Sequence, residues 1–334
     1  MAGARQGGAE LFFERLCLAQ HQDGETVLPV IRADAARATR LREGGLDPVP
    51  LRFGGAWDVL TPRRLHRRLR GFGPEVAVAW MGRAAAATQA GPWTLIGRLG
   101  GYYDLRRFRN CRYLVANTPA LAAWIRAEGA PPERVRVLPN FAPDHAGAAA
   151  ASRAALGVPE GVPLVLALGR LHPVKGFDTL IRALASLPDA YCVIAGEGAA
   201  RQELSQLARS LGVAPRLRLP GWRQDTGALL AACDVFVCPS RQEPLGNTIL
   251  EAWSAARPIV ATIAEGPGAL LRGGQTGELV PIDDPAALAA AISDLLRDPG
   301  RAAALARAGR ARYEAEFAPG PVLAAWRHFL HGLV

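Results

Sequence analysis

Six short apolar runs punctuate residues 163–281: PLVLALG (163–169), YCVIAG (191–196), RLRLPG (216–221), DVFVCPS (234–240), PIVAT (258–262) and GELVP (277–281). Each is the right length for a strand and too short for a typical helix. Between the first two, Phe177, Leu180, Ile181 and Leu184 recur at helical spacing. Apolar runs alternating with helical periods specify βαβ units on a parallel sheet buried on both faces. The N-terminal part repeats the pattern more loosely. Strands are expected at TVLPVI (26–31), VAVAW (76–80), YLVAN (113–117) and VRVLP (135–139). Phe12, Leu16 and Ala19 share one helical face, and Leu323, Trp326 and Leu330 form a last apolar stripe. The short-chained stretch PNFAPDHAGAAAAS (139–152) reads as a linker. The expectation is α/β: two doubly wound domains in tandem, over 1–145 and 146–318, closed by a helix in 319–334.

The composition carries two such cores, since 50% of the 334 residues are hydrophobic. There is no apolar run of the ~18 residues that a transmembrane helix needs. The opening MAGARQGGAELFFERL lacks the apolar core of a signal peptide. Cys17, Cys111, Cys192, Cys233 and Cys238 make no CxxC pair, so a reduced, cytoplasmic protein without a cysteine-based zinc site is expected. Charge is uneven. Residues 1–150 hold 21 arginines against 13 acids, and the remainder holds 18 Lys plus Arg against 17 acids. The peaks are TPRRLHRRLRGF (61–72) and DLRRFRNCRY (104–113). A basic N-terminal domain suits nucleic acid, an anionic membrane or an anionic substrate, against an alternative of plain solvated surface.

In open α/β sheets ligands bind outside the carboxyl ends of the strands. Three strand ends here carry chemistry. In GRLHPVKGFD, Gly169 and Arg170 leave a strand, and Lys175 stands where the next helix begins. Lys175 is the sole lysine beside 38 arginines. An ammonium on a flexible stem is not mimicked by a guanidinium fork. Together Arg170 and Lys175 suit a diphosphate at a helix N-terminus, with two solvated cations as the alternative. The spacing is not that of a Walker A loop. In IAGEGAARQEL, Gly196 and Gly198 fit two positions of a dinucleotide fingerprint, but Arg201 stands at the third. In CPSRQEPLGNTILEAW, Glu243 precedes a helix opened by Gly246 and Asn247, and Glu251 sits inside it on a stripe with Asn247 and Ser254. Ile249, Trp253 and Ala256 are expected on its core face. Helix-start amides take phosphate, and each carboxylate can accept from vicinal hydroxyls.

GRLHPVKG, AGEG, PGW and EPLGNTILE in this order resemble the retaining glycosyltransferases of family four, which have the GT-B fold, two Rossmann-like domains around an interdomain cleft. Glu243 to Glu251 matches that family's E-x7-E element. The likeness is strong over 163–281 and looser over 1–140. It implies that Gly169, Arg170 and Lys175 meet the donor diphosphate. It implies that Gly196, Glu197 and Gly198 line the donor site, with Trp222 and Arg223 beside the base. Glu251 would bind the ribose. Glu243 would act at the transferred sugar, with the amides of Leu245, Gly246 and Asn247. Gly7 and Gly8 would form a glycine loop facing donor phosphates and acceptor. The family normally has a strand before that loop, and six residues precede Gly7, so the first strand is expected to be missing. Where many members carry an N-terminal-domain histidine, GRLGGYYDLRRF (97–108) has none. Tyr102, Tyr103 and Asp104 are the acceptor-orienting candidates, with surface or core roles as the alternative. His172 reads as a solvated loop residue.

The implied activity is metal-independent hexosyl transfer from a UDP- or GDP-linked sugar to a cell-envelope glycan or lipid-linked saccharide. It calls for no cofactor. The expected place is the cytoplasm, peripheral on the anionic inner face of the membrane. A nucleotide-sugar epimerase or sugar phosphorylase on the same fold is the first alternative. A phosphorylase would need a cofactor lysine, and the one lysine is already assigned. A basic nucleic-acid-binding protein is the second, and no recognisable binding motif supports it.

Overall fold

The computed structural model describes residues 1–3, 7–54 and 58–333. The chain divides into two compact units, Met1–Asn140 with Pro319–Val334, and Phe141–Ala318. The first unit holds β1 (Val30–Arg32), β2 (Val49–Leu51), β3 (Val76–Trp80), β4 (Thr94–Leu99), β5 (Tyr113–Ala116) and β6 (Val135–Val137). The second holds β7 (Leu164–Leu168), β8 (Tyr191–Ala195), β9 (Leu217–Arg218), β10 (Val235–Cys238), β11 (Ile259–Thr262) and β12 (Glu278–Val280).

In the second unit the strands lie in the order β12-β11-β10-β7-β8-β9, all parallel. Chain direction across the sheet therefore reverses between β7 and β10. That reversal opens a crevice above their carboxyl ends, where loops diverge to opposite faces. Val165, Ala167, Cys192, Ile194, Val235, Val237 and Val260 are nearly or fully buried on one face of this sheet. Leu164, Leu166, Val193, Phe236, Ile259 and Ala261 are as deeply buried on the other. Burial on both faces is why these strands read as continuous apolar runs. The helix Phe177–Leu184 buries the four residues expected of it. Trp253 is fully buried, with its Nε1–H donating to Thr276 O at 3.0 Å. The crossing helix Pro299–Arg312 makes room for it with Gly309, where a Cβ would lie 2.2 Å from Trp253 Cδ1.

The stretch expected as a linker is not free chain. Phe141 and Ala142 are buried, Ala142 N–H donates to Phe317 O, and the Tyr313 hydroxyl donates to Ala142 O at 2.9 Å. Ala151 N–H donates to Ala228 O, and Asp144 pairs with Arg310. The boundary between units thus falls at Asn140, ahead of the expected 145.

In the first unit β3-β4-β5-β6 form one parallel sheet, and β1-β2 form a separate parallel pair. Met1 runs beside β1: its amino group donates to Val30 O at 2.7 Å, and Arg32 N–H donates to Met1 O at 2.8 Å. A cavity of about 290 Å³, lined in part by Leu16, Leu28, Val76, Val78 and Trp326, opens in this unit. The helix Pro319–His331 belongs to the same unit. It is tied there by Arg327 to Asp23, His331 to Glu25, and the Phe329 ring edge-on to Tyr113. Two strands here escape the sequence pattern, β2 and β4, and the expected strand at 26–31 shrinks to Val30–Arg32 because Pro29 enters it without an N–H.

Candidate active site

The loops after β7, β8 and β10 meet through their backbones, and side chains join the β9 loop to them. Gly169 N–H donates to Ala195 O at 3.1 Å, and Leu171 N–H donates to Glu197 O at 2.9 Å. A Cβ on Gly196 would lie 1.8 Å from Gly169 O, and one on Gly198 would lie 2.2 Å from Leu171 O. The protein's own neighbouring loop therefore demands glycine at both positions. The Glu197 carboxylate binds Arg201 at 2.8 Å and lies against Gly221, while Arg201 Nη2 donates to Leu219 O at 2.7 Å. These contacts lock the β8 loop to the β9 loop. On the latter, Trp222 is 44% exposed and Arg223 forks onto both oxygens of Asp225.

After β7 the chain turns through a 3-10 turn, Pro173–Lys175. His172 starts that turn, its Nδ1 accepting from Val174 N–H at 3.3 Å, so the histidine has a local capping role. Gly176 takes φ 64° and a Cβ there would lie 2.0 Å from Pro239 O. The β7 loop can therefore press against the β10 loop only with glycine at this point.

That contact joins the two ends of the motif set. Lys175 Nζ donates to Glu243 Oε2, and Glu243 Oε1 accepts Gly246 N–H at 3.2 Å. Gly246, at φ 99°, is the residue before the helix Asn247–Ser254. The sequence assigned Lys175 to a diphosphate and Glu243 to a sugar as separate groups. The structure makes them one ion pair, seated at a helix start. Burial works against the Lys175 charge, but the Glu243 carboxylate beside it outweighs this, and the ammonium is held above the ordinary lysine range. Arg170 is exposed at the head of the loop, and its charge is among those felt by Lys175.

Leu245 is buried and Asn247 half-buried at the same helix start. Gly266 N–H donates to the Glu243 carbonyl at 2.8 Å, fixing the turn from behind. Glu251 is buried one turn into the helix. Ser254, on its stripe, is turned inward, with its hydroxyl donating to Glu251 O at 2.8 Å. Ile249 and Trp253 face the core as expected, but Ala256 does not. The helix ends at Ser254, and Ala256 is exposed at φ 51°.

In the first unit, Gly7 precedes the helix Gly8–Gln22, and Gly8 is exposed. A Cβ on Gly7 would lie 2.4 Å from Glu10 Oε2, so a buried carboxylate is folded back onto this helix start. Tyr102 is 47% exposed and meets Trp124 edge-on at 5.1 Å. Tyr103 packs on Phe108; burial raises its hydroxyl pKa, with Glu10 adding to the shift and Arg98 opposing it. Asp104 caps the turn Leu105–Phe108, accepting from Arg106 N–H at 3.1 Å and from Arg106 Nε at 2.9 Å. That pairing holds its carboxyl below the usual range.

Two arginines were missed by sequence reasoning. Arg98, on β4, is 2% exposed and lies over the rings of both Phe12 and Trp80; burial pulls its pKa down to about 9. Arg241, two residues before Glu243, bridges the β7 and β10 loops. Neither stands out by composition in a chain with 38 arginines.

Comparisons with known proteins give the family and the fold. A family model described as glycosyl transferases group 1 matches residues 149–312, nearly all of the second unit. A lipopolysaccharide core biosynthesis glycosyltransferase of Rhizobium meliloti, LpsE, is 36% identical over 98% of this chain and 96% of its own length. The chain belongs to the group 1 glycosyltransferases. LpsD of the same organism, named for the same process, is 34% identical over 96% of this glycosyltransferase and 94% of its own length. Among solved structures, Anabaena HepE in complex with UDP-glucose superposes with a TM-score of 0.88 at 23% identity, over 99% of this chain and 98% of its own. WaaG, a glycosyltransferase involved in lipopolysaccharide biosynthesis, gives 0.74 at 18% identity, over 97% and 96%. These likenesses give the glycosyltransferase the GT-B fold. Among its described residues no group of three or more His, Cys, Asp or Glu converges as metal ligands, and no helix is long and apolar enough to cross a membrane.

Proposed function

We propose that this glycosyltransferase moves a hexose, with retention, from a UDP- or GDP-linked sugar to a cell-envelope glycan or lipid-linked saccharide. The observation that carries this reading is the Lys175–Glu243 pair at a helix start above the sheet's reversal point. Breaking a glycosyl–phosphate bond puts growing negative charge on the leaving diphosphate. Lys175 and Arg170 supply positive charge for it, and a helix N-terminus adds amide donors. This is the electrostatic work that a divalent metal does elsewhere, so turnover without added metal is expected. Glu243 lies within reach of the same ammonium, which sets it beside the scissile bond once the diphosphate engages Lys175. Glu251 accepts from the ribose hydroxyls, and Gly7, Gly8, Tyr102 and Tyr103 serve the acceptor side.

The acceptor class rests on LpsE and LpsD, which are named for lipopolysaccharide core biosynthesis. A membrane-proximal substrate fits the helix Leu60–Phe72, whose Arg63, Arg64, Arg67, Arg68 and Arg70 are all exposed. Val59 and Leu60 at its start and Phe72 at its end are exposed apolar neighbours. Arginines contribute roughly 1 kcal/mol each near an anionic leaflet. This favours a peripheral position on the inner face of the cytoplasmic membrane.

The test is a thermal-shift titration with UDP and GDP, wild type beside Lys175→Ala, with EDTA present throughout. One nucleotide should raise the wild-type Tm and leave the variant nearly unmoved. Equal shifts in both proteins would remove Lys175 from the donor site.

A further inference from the structure

We infer that Arg241 is a positioning residue for donor binding: it clamps the loop that carries Lys175 to the loop that carries Glu243. The inference rests on the reading of Lys175 as the diphosphate cation. One guanidinium makes the junction. Its Nη1 donates to Pro173 O at 2.6 Å and to Asp178 Oδ1 at 2.8 Å, and its Nη2 donates to Asp178 Oδ2 at 2.7 Å. Its Nε reaches Asp283 Oδ1 at 2.7 Å. Asp283 in turn accepts from the Thr179 hydroxyl at 3.1 Å, on the helix that follows Lys175. Three edges of one planar cation therefore hold three segments: the Lys175 turn, the first turn of the following helix, and the loop after β12.

The backbone repeats the junction. Val174 O, next to Lys175, accepts Arg241 N–H at 2.8 Å and Gln242 N–H at 3.2 Å. Glu243 is the next residue. The side-chain clamp and the backbone pair thus tie the chain beside Lys175 to the chain beside Glu243. Ion pairs as exposed as these contribute little to stability as charges alone. Their importance here is directional: a fork with fixed N–H vectors sets the relative place of two loops, and an ammonium cannot reproduce it. A displacement of about 1 Å at a reacting group is enough to cost on the order of 10²-fold in rate. The rest of the junction, including the two backbone bonds and the close packing at Gly176, needs no Arg241 side chain, so the variant is expected to fold.

The test is a double-mutant cycle on nucleotide affinity, which isolates coupling between two residues. Titration calorimetry with UDP and with GDP is run on wild type, Arg241→Ala, Lys175→Ala and the double variant of the full chain. Circular dichroism and Tm accompany each. Arg241→Ala should weaken the nucleotide about tenfold in the wild-type background and less than twofold once Lys175 is gone. Arg241→Lys should recover Tm but not affinity, because it restores a charge without the fork. A purely structural arginine would lower Tm and the active fraction while leaving the dissociation constant of the folded fraction unchanged, and that result overturns the inference. So does an equal tenfold loss in both backgrounds, which would place Arg241 on the ligand by another route. If Lys175→Ala alone leaves the affinity at the wild-type value, the donor reading itself fails and the inference falls with it. That outcome is told apart by the single variant.

Discussion

The two units present their candidate residues in different ways. In the second unit the ion pairs that join the β7 and β10 loops link residues far apart along the chain. Lys175 and Glu243 are 68 residues apart, and Arg241 and Asp178 are 63 apart. In the first unit Tyr103 and Asp104 are held by near neighbours. Asp104 is capped by Arg106, two residues on, and Tyr103 packs on Phe108. Long-range pairs exist only in the folded sheet, so the proposed donor chemistry depends on the integrity of the whole second unit. Local pairs survive local rearrangement, so on the proposed reading the acceptor-side loops of the first unit could change without loss of fold. The comparison can be broken from either side, and the largest effects should come from the second unit.

Gly196→Ala should be the most damaging. The new Cβ would meet the carbonyl oxygen of Gly169, a backbone atom that has no rotamer to retreat into. Overpacking against side chains costs about 1–3 kcal/mol. A backbone obstacle belongs at the top of that range, equivalent to a Tm loss of roughly 6–12 °C for a unit of this size. Nucleotide binding should vanish with it, since Gly169, Arg170 and Lys175 share the displaced loop. An alanine variant with wild-type Tm and wild-type UDP or GDP affinity would mean that the β7 and β8 loops are not coupled as described.

This contrast also explains what the sequence makes legible. In the second unit β7, β8, β10 and β11 can be read in advance because burial on both faces leaves no polar alternation to confuse the period. In the first unit β2 is Val-Pro-Leu, three residues around a proline, and carries too little pattern to recognise. The β4 run is interrupted by Gly97 and Arg98. Both are tertiary accommodations: a Cβ on Gly97 would lie 2.5 Å from Phe108 Cδ1, and Arg98 is buried over two aromatic rings. Neither reason exists before the chain has folded. At the site, Lys175 is conspicuous because its residue type is unique, while Arg241 has the same kind of neighbourhood and no compositional signal. The Lys175–Glu243 contact itself was not legible, because nothing in a linear motif says that two assigned groups touch.

That contact gives the middle prediction. Glu243→Gln keeps the side chain's shape and its bond to Gly246 but removes the charge facing Lys175. Loss of a carboxylate at the reacting sugar should lower kcat on the order of 10²-fold. Bare UDP or GDP should bind about threefold tighter, because Lys175 is released and a negative neighbour of the diphosphate is gone. The alkaline limb of kcat/KM adds a second readout. In wild type, Glu243 holds the Lys175 pKa above the ordinary lysine value although burial works against it. The ammonium then persists, and donor capture should be flat, up to that ordinary value. With Glu243 neutralised, burial and the nearby Arg170 charge both lower the folded-state pKa, and the limb should begin at lower pH. An alkaline limb that stays in place in Glu243→Gln means that the pair does not govern the charge of Lys175.

The smallest effect is expected from the first unit's best-bonded acceptor candidate. Asp104 spends its carboxylate on its own turn, taking the N–H and the Nε–H of Arg106 from an exposed position. Its low carboxyl pKa has that local cause and needs no ligand. Exposed pairs of this kind seldom matter to stability, and surface substitutions generally fall near neutral. Asp104→Ala should therefore shift Tm by no more than about 2 °C and change the transfer rate by less than about twofold. The informative comparison is with Tyr103→Phe, which removes one hydroxyl whose pKa registers Glu10 and Arg98 together and leaves the ring on Phe108. If the acceptor is oriented from this loop, Tyr103→Phe should raise the acceptor KM while the donor KM stays fixed. If Asp104→Ala instead raises the acceptor KM tenfold at unchanged Tm, the carboxylate leaves Arg106 for the acceptor during turnover. The first unit would then hold a charged group in a local pair and release it to the substrate.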